Sequence, residues 1–139
     1  MMRILQPPGW AKPRGYSNGT AARGTLVFVG GQIGWDAQHR FPSTDFSDQV
    51  RQALKNVVAV LAEAGAKPEH IVRMNWYVTD KREYLAAGRE IGKAYKELIG
   101  PTYPAMTLLE VKALLEDRAK VEIETTAVIP APVDAIARR

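Results

Sequence analysis

The run at residues 25–34, TLVFVGGQIG, constrains the fold most, because it is an extended segment that is apolar on both faces. Leu26 and Phe28 share one face, and Val27 and Val29 share the other, in the period of two that is typical of a β-strand. Such a strand has to be covered on both sides. The glycine pair inside the run indicates a bulge or the close approach of another backbone or a ligand.

The rest of the pattern predicts two helices and further strands in the order β-β-α-β-α-β-β. A helical period runs from Asp45 to Ala64, with an apolar stripe at Phe46, Val50, Ala53, Val57, Val60 and Ala64, and ends at Gly65. Asp80 is the predicted N-cap of a second helix that extends to about Ile99. Strands are predicted at Ile71 to Thr79, Tyr103 to Lys112 and Lys120 to Ile129, after a Gly- and Pro-rich first segment with short extended pieces.

This order predicts an α+β fold in a single domain, residues 1–139, with an N-terminal loop at 1–13 and a C-terminal tail at 130–139. Two helices can cover only one face of such a sheet. A large exposed apolar sheet face is rare on a monomer, so the pattern by itself predicts an oligomer.

Composition excludes several classes of site. The chain has no cysteine and only two histidines, so we expect no metal site, and nothing in the motifs calls for a cofactor. There are 19 Lys and Arg against 15 Asp and Glu. Arg3, Lys12, Arg14 and Arg23 carry the whole excess of +4, and the remaining residues are balanced at 15 against 15. We therefore expect no nucleic-acid partner. Without a long apolar stretch or a signal core, a cytoplasmic protein without membrane contact is expected.

Five blocks, TLVFVGGQIGWD, RQALKNVVAVLAEAGA, the strand ending in YVTD, YPAMTLLEV and VEIETTAV, together resemble the YjgF/RidA family over about residues 14–129. The resemblance implies a chorismate-mutase-like fold with one mostly antiparallel sheet and two helices on one face. It also implies a homotrimer with a small-molecule cleft between subunits. The activity it implies is that of a reactive-intermediate deaminase, which hydrolyses enamines and imines released by pyridoxal-phosphate enzymes.

The resemblance also implies site residues. Tyr16 and Glu122 match the family's catalytic positions, and Gly31 and Gln32 belong to its Gly-Gln-Ile motif. An asparagine of the family falls on Gly88. Read without the resemblance, Glu122 also fits an ordinary half-exposed strand, and Tyr16 fits an aromatic residue packed in a loop.

The block that reads Pro-Ala-Arg-Ser-Cys in deaminase members departs most, because its last three positions are Met106, Thr107 and Leu108 here. A guanidinium makes two parallel bonds to a substrate carboxylate, whereas methionine has no donor. We therefore expect a more apolar cleft that takes a less anionic, or a bulkier and flatter, ligand. Arg14 would share a side with Tyr16 in an extended segment and is the candidate replacement cation, and Trp35 is a candidate wall of the cleft.

Three function hypotheses stay open from the sequence. The first is an enamine or imine deaminase with this non-standard cleft. The second is a trimer that binds a small metabolite without turning it over. The third, suggested by the basic N-terminal segment and by older family names, is an endoribonuclease or RNA-binding protein.

Overall fold

The computed structural model describes residues 2–132, so most of the predicted C-terminal tail lies outside the described residues. The elements in chain order are β1 (Arg3–Leu5), β2 (Gly19–Ala21), β3 (Gly24–Ile33), α1 (Phe46–Glu63), β4 (Ile71–Val78), α2 (Lys81–Ala86), α3 (Gly88–Leu98), β5 (Ala105–Glu110) and β6 (Val121–Pro130).

The main sheet has four strands in the order β3-β6-β4-β5. Strand β6 is antiparallel to both β3 and β4, and β4 is parallel to β5. The expected α+β fold with a mostly antiparallel sheet is therefore confirmed. The register shifts between Val29 and Gln32, which is the bulge that the glycine pair predicted.

Two expectations about the elements are wrong. The segment 1–13 is not all loop, because Arg3 to Leu5 pair with residues 19–21 in a separate two-stranded sheet. The second helix is two helices, because the backbone leaves the helical conformation at Ala87, where ψ is 13°. The Ala87 N–H is shared between the carbonyls of Glu83 and Tyr84, at 3.1 and 3.2 Å, and α3 starts again at Gly88.

The core lies between α1, α3 and one face of the sheet. Met74, Trp76 and Val78 of β4 alternate toward this face and are at most 2% exposed. The buried side of α1 differs from the predicted stripe, because Leu54 and Leu61 are buried while Val60 is 40% exposed and Ala64 is also exposed. The amide of Gln49 is buried with them, accepting from the Lys120 N–H at 2.8 Å and donating to the Arg118 carbonyl at 3.0 Å.

Within residues 2–132, no helix or strand covers the opposite face of the sheet. Leu26 is 58% and Phe28 72% exposed on β3, and Leu109 of β5 is half-exposed. Arg73, Asn75 and Tyr77 of β4 alternate with the core residues and therefore point to this open face. The described helices pack against the other face only, as the sequence predicted.

Candidate functional site

A cavity of about 200 Å³ lies between α3 and the edge of the sheet formed by β4 and β5. Glycine, aromatic and aliphatic residues line it: Gly15, Gly88, Gly92, Trp76, Tyr84, Tyr95, Tyr103, Leu85, Ile91 and Met106. The structure thus brings together Met106 and Gly88, two positions that the resemblance connected with the ligand cleft.

The local structure explains why the cavity is open. Met106 is in register with Met74 in the parallel β4–β5 pair, so its side chain lies on the helix-covered face. Gly88 and Gly92 are four residues apart on α3 and therefore share one side of the helix. A Cβ atom added to either glycine would meet no atom within 4 Å. Because glycine has no side chain, these two positions leave open the space that Met106 and the aromatic residues line.

The described lining of this cavity carries no charged side chain at neutral pH. Burial raises the pKa of the Tyr84 hydroxyl, and burial together with neighbouring Tyr103 raises the pKa of Tyr95 far above its usual range. The Tyr95 hydroxyl donates to the Thr102 carbonyl at 3.1 Å. Trp76 is 2% exposed, and its Nε1–H has no hydrogen-bond partner within residues 2–132. The cavity is therefore apolar.

A second group of predicted residues meets on the open face. Glu122 of β6 is in register with Tyr77, and a Cβ atom at Gly31 would collide with the Glu122 carboxylate. A glycine at position 31 is what allows this carboxylate to lie against the backbone of the bulge. The Gln32 side chain folds back and donates to the Gly30 carbonyl at 3.2 Å. The structure thus brings together Gly31, Gln32 and Glu122, three of the predicted site residues.

Glu124, two residues after Glu122 on β6, accepts two side-chain hydrogen bonds on this face. It was not among the predicted site residues. Its carboxylate accepts from the Tyr77 hydroxyl at 2.5 Å and from the Asn75 amide at 2.9 Å. The bond from Tyr77, followed by that from Asn75, lowers the pKa of Glu124, and the same bond raises the pKa of Tyr77. The sequence did contain a signal for this group, because polar residues alternate along both strands: Asn75 and Tyr77 on β4, and Glu122 and Glu124 on β6.

The expectation that Arg14 and Tyr16 share one side of an extended segment is wrong. Gly15 between them has φ of +76°, which is not an extended conformation. Both side chains are exposed, Tyr16 to 42%. Immediately after them, Ser17 is buried, donates from its hydroxyl to the Tyr103 carbonyl and forms a bridge to Ala105. These bonds attach the segment to the β5 side of the cavity.

The remaining predicted ligand contacts lie outside the cavity lining. The Trp35 ring stacks on the His39 ring at 3.9 Å between centroids. Thr107 is exposed, and its register with Asn75 puts it on the open face. Leu108 is half-buried and packs against the core.

Within one chain, the two groups of residues lie on opposite faces of the sheet. Met106 follows Met74 to the helix-covered face, whereas Glu122 follows Tyr77 to the open face. The chain alone therefore does not bring the Glu122 carboxylate to the cavity beside Met106.

Within residues 2–132, no group of three or more His, Asp or Glu residues is arranged to hold a metal ion. No helix in the same range is long and apolar enough to cross a membrane.

Comparison with known proteins gives one family. The model of the family described as endoribonuclease L-PSP matches residues 10–129. The chain belongs to the YjgF/RidA family. A RutC family protein of Aquifex aeolicus is 36% identical over 130 residues, which cover 91% of this chain and 99% of the relative. The putative reactive intermediate deaminase TdcF of Escherichia coli is 34% identical over 105 residues, covering 76% of this chain and 80% of TdcF.

Solved structures agree with this YjgF/RidA membership. The Rid family protein YyfB of Yersinia pestis has a TM-score of 0.80 at 29% identity, over 92% of this chain and 98% of YyfB. The structure of E. coli TdcF with bound serine has a TM-score of 0.68 at 31% identity, over 91% of this chain and 98% of TdcF. The fold implied by the resemblance is therefore confirmed.

Proposed function

We propose that this YjgF/RidA protein is a deaminase that hydrolyses an enamine or imine in a cleft between the subunits of a homotrimer. The separation of Met106 from Glu122 onto opposite faces of the sheet carries the proposal. A second copy, packed on the open face, would bring the Glu122 carboxylate of one chain to the cavity of the other. The description of TdcF as a putative reactive intermediate deaminase supports the reaction class.

The proposed chemistry assigns Glu122 to proton transfer. Water adds to the C=N carbon while the Glu122 carboxylate accepts a proton from it, and protonation of the nitrogen completes a carbinolamine. Collapse of the carbinolamine releases ammonia and leaves a carbonyl compound. Tyr16 donates a hydrogen bond to the ligand, and the bulge at Gly31 and Gln32 holds the carboxylate close to the backbone. Roles for Arg14, Trp35, Thr107 and Leu108 as ligand contacts stay predictions.

The decisive test is the rate of hydrolysis of imines generated in situ from several amino acids, with semicarbazide as the competing trap. We expect Glu122→Gln to lower the rate about 100-fold or more, the usual contribution of a positioned base. The matched control is Glu63→Gln, because Glu63 is an exposed glutamate at the end of α1. A Glu122→Gln protein that keeps the wild-type rate would contradict the assigned role.

The charge-free cavity favours a second candidate, a trimer that binds a metabolite without turning it over. Met106→Arg separates the two candidates. A wild type that is inactive and a variant that hydrolyses small imino acids would show an intact scaffold with a different native ligand. If neither is active, binding without turnover is favoured. Salt-dependent RNA binding would instead support the endoribonuclease description.

A further inference from the structure

We infer that the cavity between α3 and the β4–β5 edge is a binding subsite for a single uncharged aromatic ring. The inference names the substrate class of the proposed deaminase site and rests on that function for turnover, although binding is testable without it. Two observations support this subsite: the glycine pair on α3, and the size and charge of the cavity.

The glycine pair is the first observation. Glycine in a helix is about 1 kcal/mol less favourable than alanine, and Gly92 lies inside α3. An alanine Cβ at Gly92 would meet no atom within 4 Å, so packing does not require the glycine. The φ of Gly92 is not in the left-handed region, so the backbone does not require it either. What the glycine preserves is the open space of the cavity, together with Gly88 one turn earlier.

The size and charge of the cavity are the second observation. The volume of about 200 Å³ exceeds the ~150 Å³ of an apolar protein cavity that holds benzene. Trp76, Tyr84, Tyr95 and Tyr103 provide ring faces and edges around it, and aromatic pairs prefer stacked or edge-to-face geometry. No charged side chain of the described lining could pair with a carboxylate, and burying an unpaired charge is strongly unfavourable. The cavity therefore matches a flat apolar group better than the short, anionic group that an arginine at position 106 would hold.

The test uses two probes of similar size that differ in charge, acetophenone and benzoate, added to the full-length protein in its native oligomer. Binding is followed by NMR through the Trp76 Nε1–H signal and the backbone amides of Gly88 and Gly92. We expect acetophenone to shift these signals and benzoate to bind at least about tenfold more weakly.

Gly92→Leu fills the cavity and is expected to abolish the acetophenone shifts. Lys93→Leu adds the same side chain to the next, exposed position of α3 and is expected to keep them. If Gly92→Leu does not fold, as judged by circular dichroism, Gly88→Leu at the start of the same helix replaces it. Failure of acetophenone to bind the wild type, equal binding of benzoate, or unchanged binding in the cavity-filled variant would each overturn the subsite.

Measuring both acetophenone binding and imine hydrolysis distinguishes a failure of the subsite from a failure of the proposed function. Acetophenone binding in a protein that hydrolyses no imine would keep the subsite and reject the deaminase. Hydrolysis of small aliphatic imines in a protein that does not bind acetophenone would keep the deaminase and reject the subsite.

Discussion

At the scale of single residues, the open face of the sheet carries the Glu124 carboxylate, and two neutral hydrogen-bond donors stabilise its charged form. Glu124 accepts from Tyr77 and Asn75, and these bonds hold the pKa of its carboxyl below the usual 4.5. A carboxyl whose pKa is lowered by folding stabilises the protein above its unfolded-state pKa. That contribution is lost as the pH falls through the lower folded-state value.

Tyr77→Phe tests this bond. We expect a loss of about 1 kcal/mol in the free energy of unfolding at pH 7, because the bond to a charged acceptor is partly shared with solvent. The loss should shrink toward zero below the folded-state pKa of Glu124, where the wild-type carboxyl is protonated. Urea unfolding at pH 7 and at a series of lower pH values measures both. A loss that stays the same as the pH falls would mean that packing of the ring, rather than the bond to Glu124, determines the effect.

At the scale of elements, α1 is the helix that fixes the core, and its first turn depends on Asp45. The Asp45 carboxylate accepts from the Asp48 N–H at 3.1 Å and from the Ser47 hydroxyl at 2.6 Å. The bond from Ser47, followed by that from Asp48, lowers the pKa of this carboxyl. The sequence started the helical pattern at Asp45 and ended it at Gly65, where φ is +75°. Both ends are confirmed because capping residues act locally.

Asp45→Ala is expected to lower the free energy of unfolding by about 1 kcal/mol, the usual effect of removing an N-cap side chain. The urea midpoint should fall while the m-value stays constant. Asp45→Asn is the matched control, because asparagine also caps helices well and removes only the charge. A loss as large in Asp45→Asn as in Asp45→Ala would attribute the effect to the charge at the helix N-terminus instead of the cap.

The break between α2 and α3 was not predicted, and the spacing of the apolar residues on the two helices explains why. Tyr84 on α2 and Ile91 on α3 both contribute to the helix-covered core, and they are seven residues apart, which continues one helical face. The hydrophobic period therefore continues across the break at Ala87. The sequence pattern records which side is buried, whereas the change in ψ is a detail of backbone packing.

At the scale of the whole molecule, the open face has to be covered by a second copy if the proposed trimer is right. Leu26 and Phe28 are the largest apolar side chains exposed on β3. Burying each would contribute about 1.5–3 kcal/mol. The same packing would carry Glu122 of one copy toward the cavity of another, so assembly and activity are coupled.

The double variant Leu26→Glu, Phe28→Glu is expected to convert the oligomer into monomers. Loss of the oligomer is expected to abolish imine hydrolysis as well. Light scattering after size-exclusion chromatography measures the mass. Val60→Glu is the control, because Val60 is 40% exposed on the outer side of α1. A double variant that retains the wild-type mass would reject this face as the interface, and a monomeric wild type would reject the proposed trimer.

The sequence by itself determined the order of the main-sheet strands and of the helical segments between them, the bulge in β3, and the covering of one sheet face by helices. It did not determine the β1–β2 pair or the break between α2 and α3. The features that it did determine follow from short-range properties: the period of two or of about four residues, the conformational freedom of glycine and the capping of helix ends. It also determined family membership, because the five matching blocks depend on residue identity and order alone. The resemblance named Gly31 and Glu122 as separate site residues, and the structure shows that the Glu122 carboxylate lies where a Cβ atom at position 31 would be.

Only the tertiary structure decided what surrounds each site residue. The cavity at Met106 is formed by residues from the first loop, α2, α3, β4 and β5. The sequence could not predict that Gly92 and Trp76 would line the same cavity, because that depends on how α3 packs on the sheet. The bonds to Glu124 depend in the same way on the β4–β6 register. A period specifies which face a residue occupies, but its neighbours on that face come from distant parts of the chain, and packing and register select them.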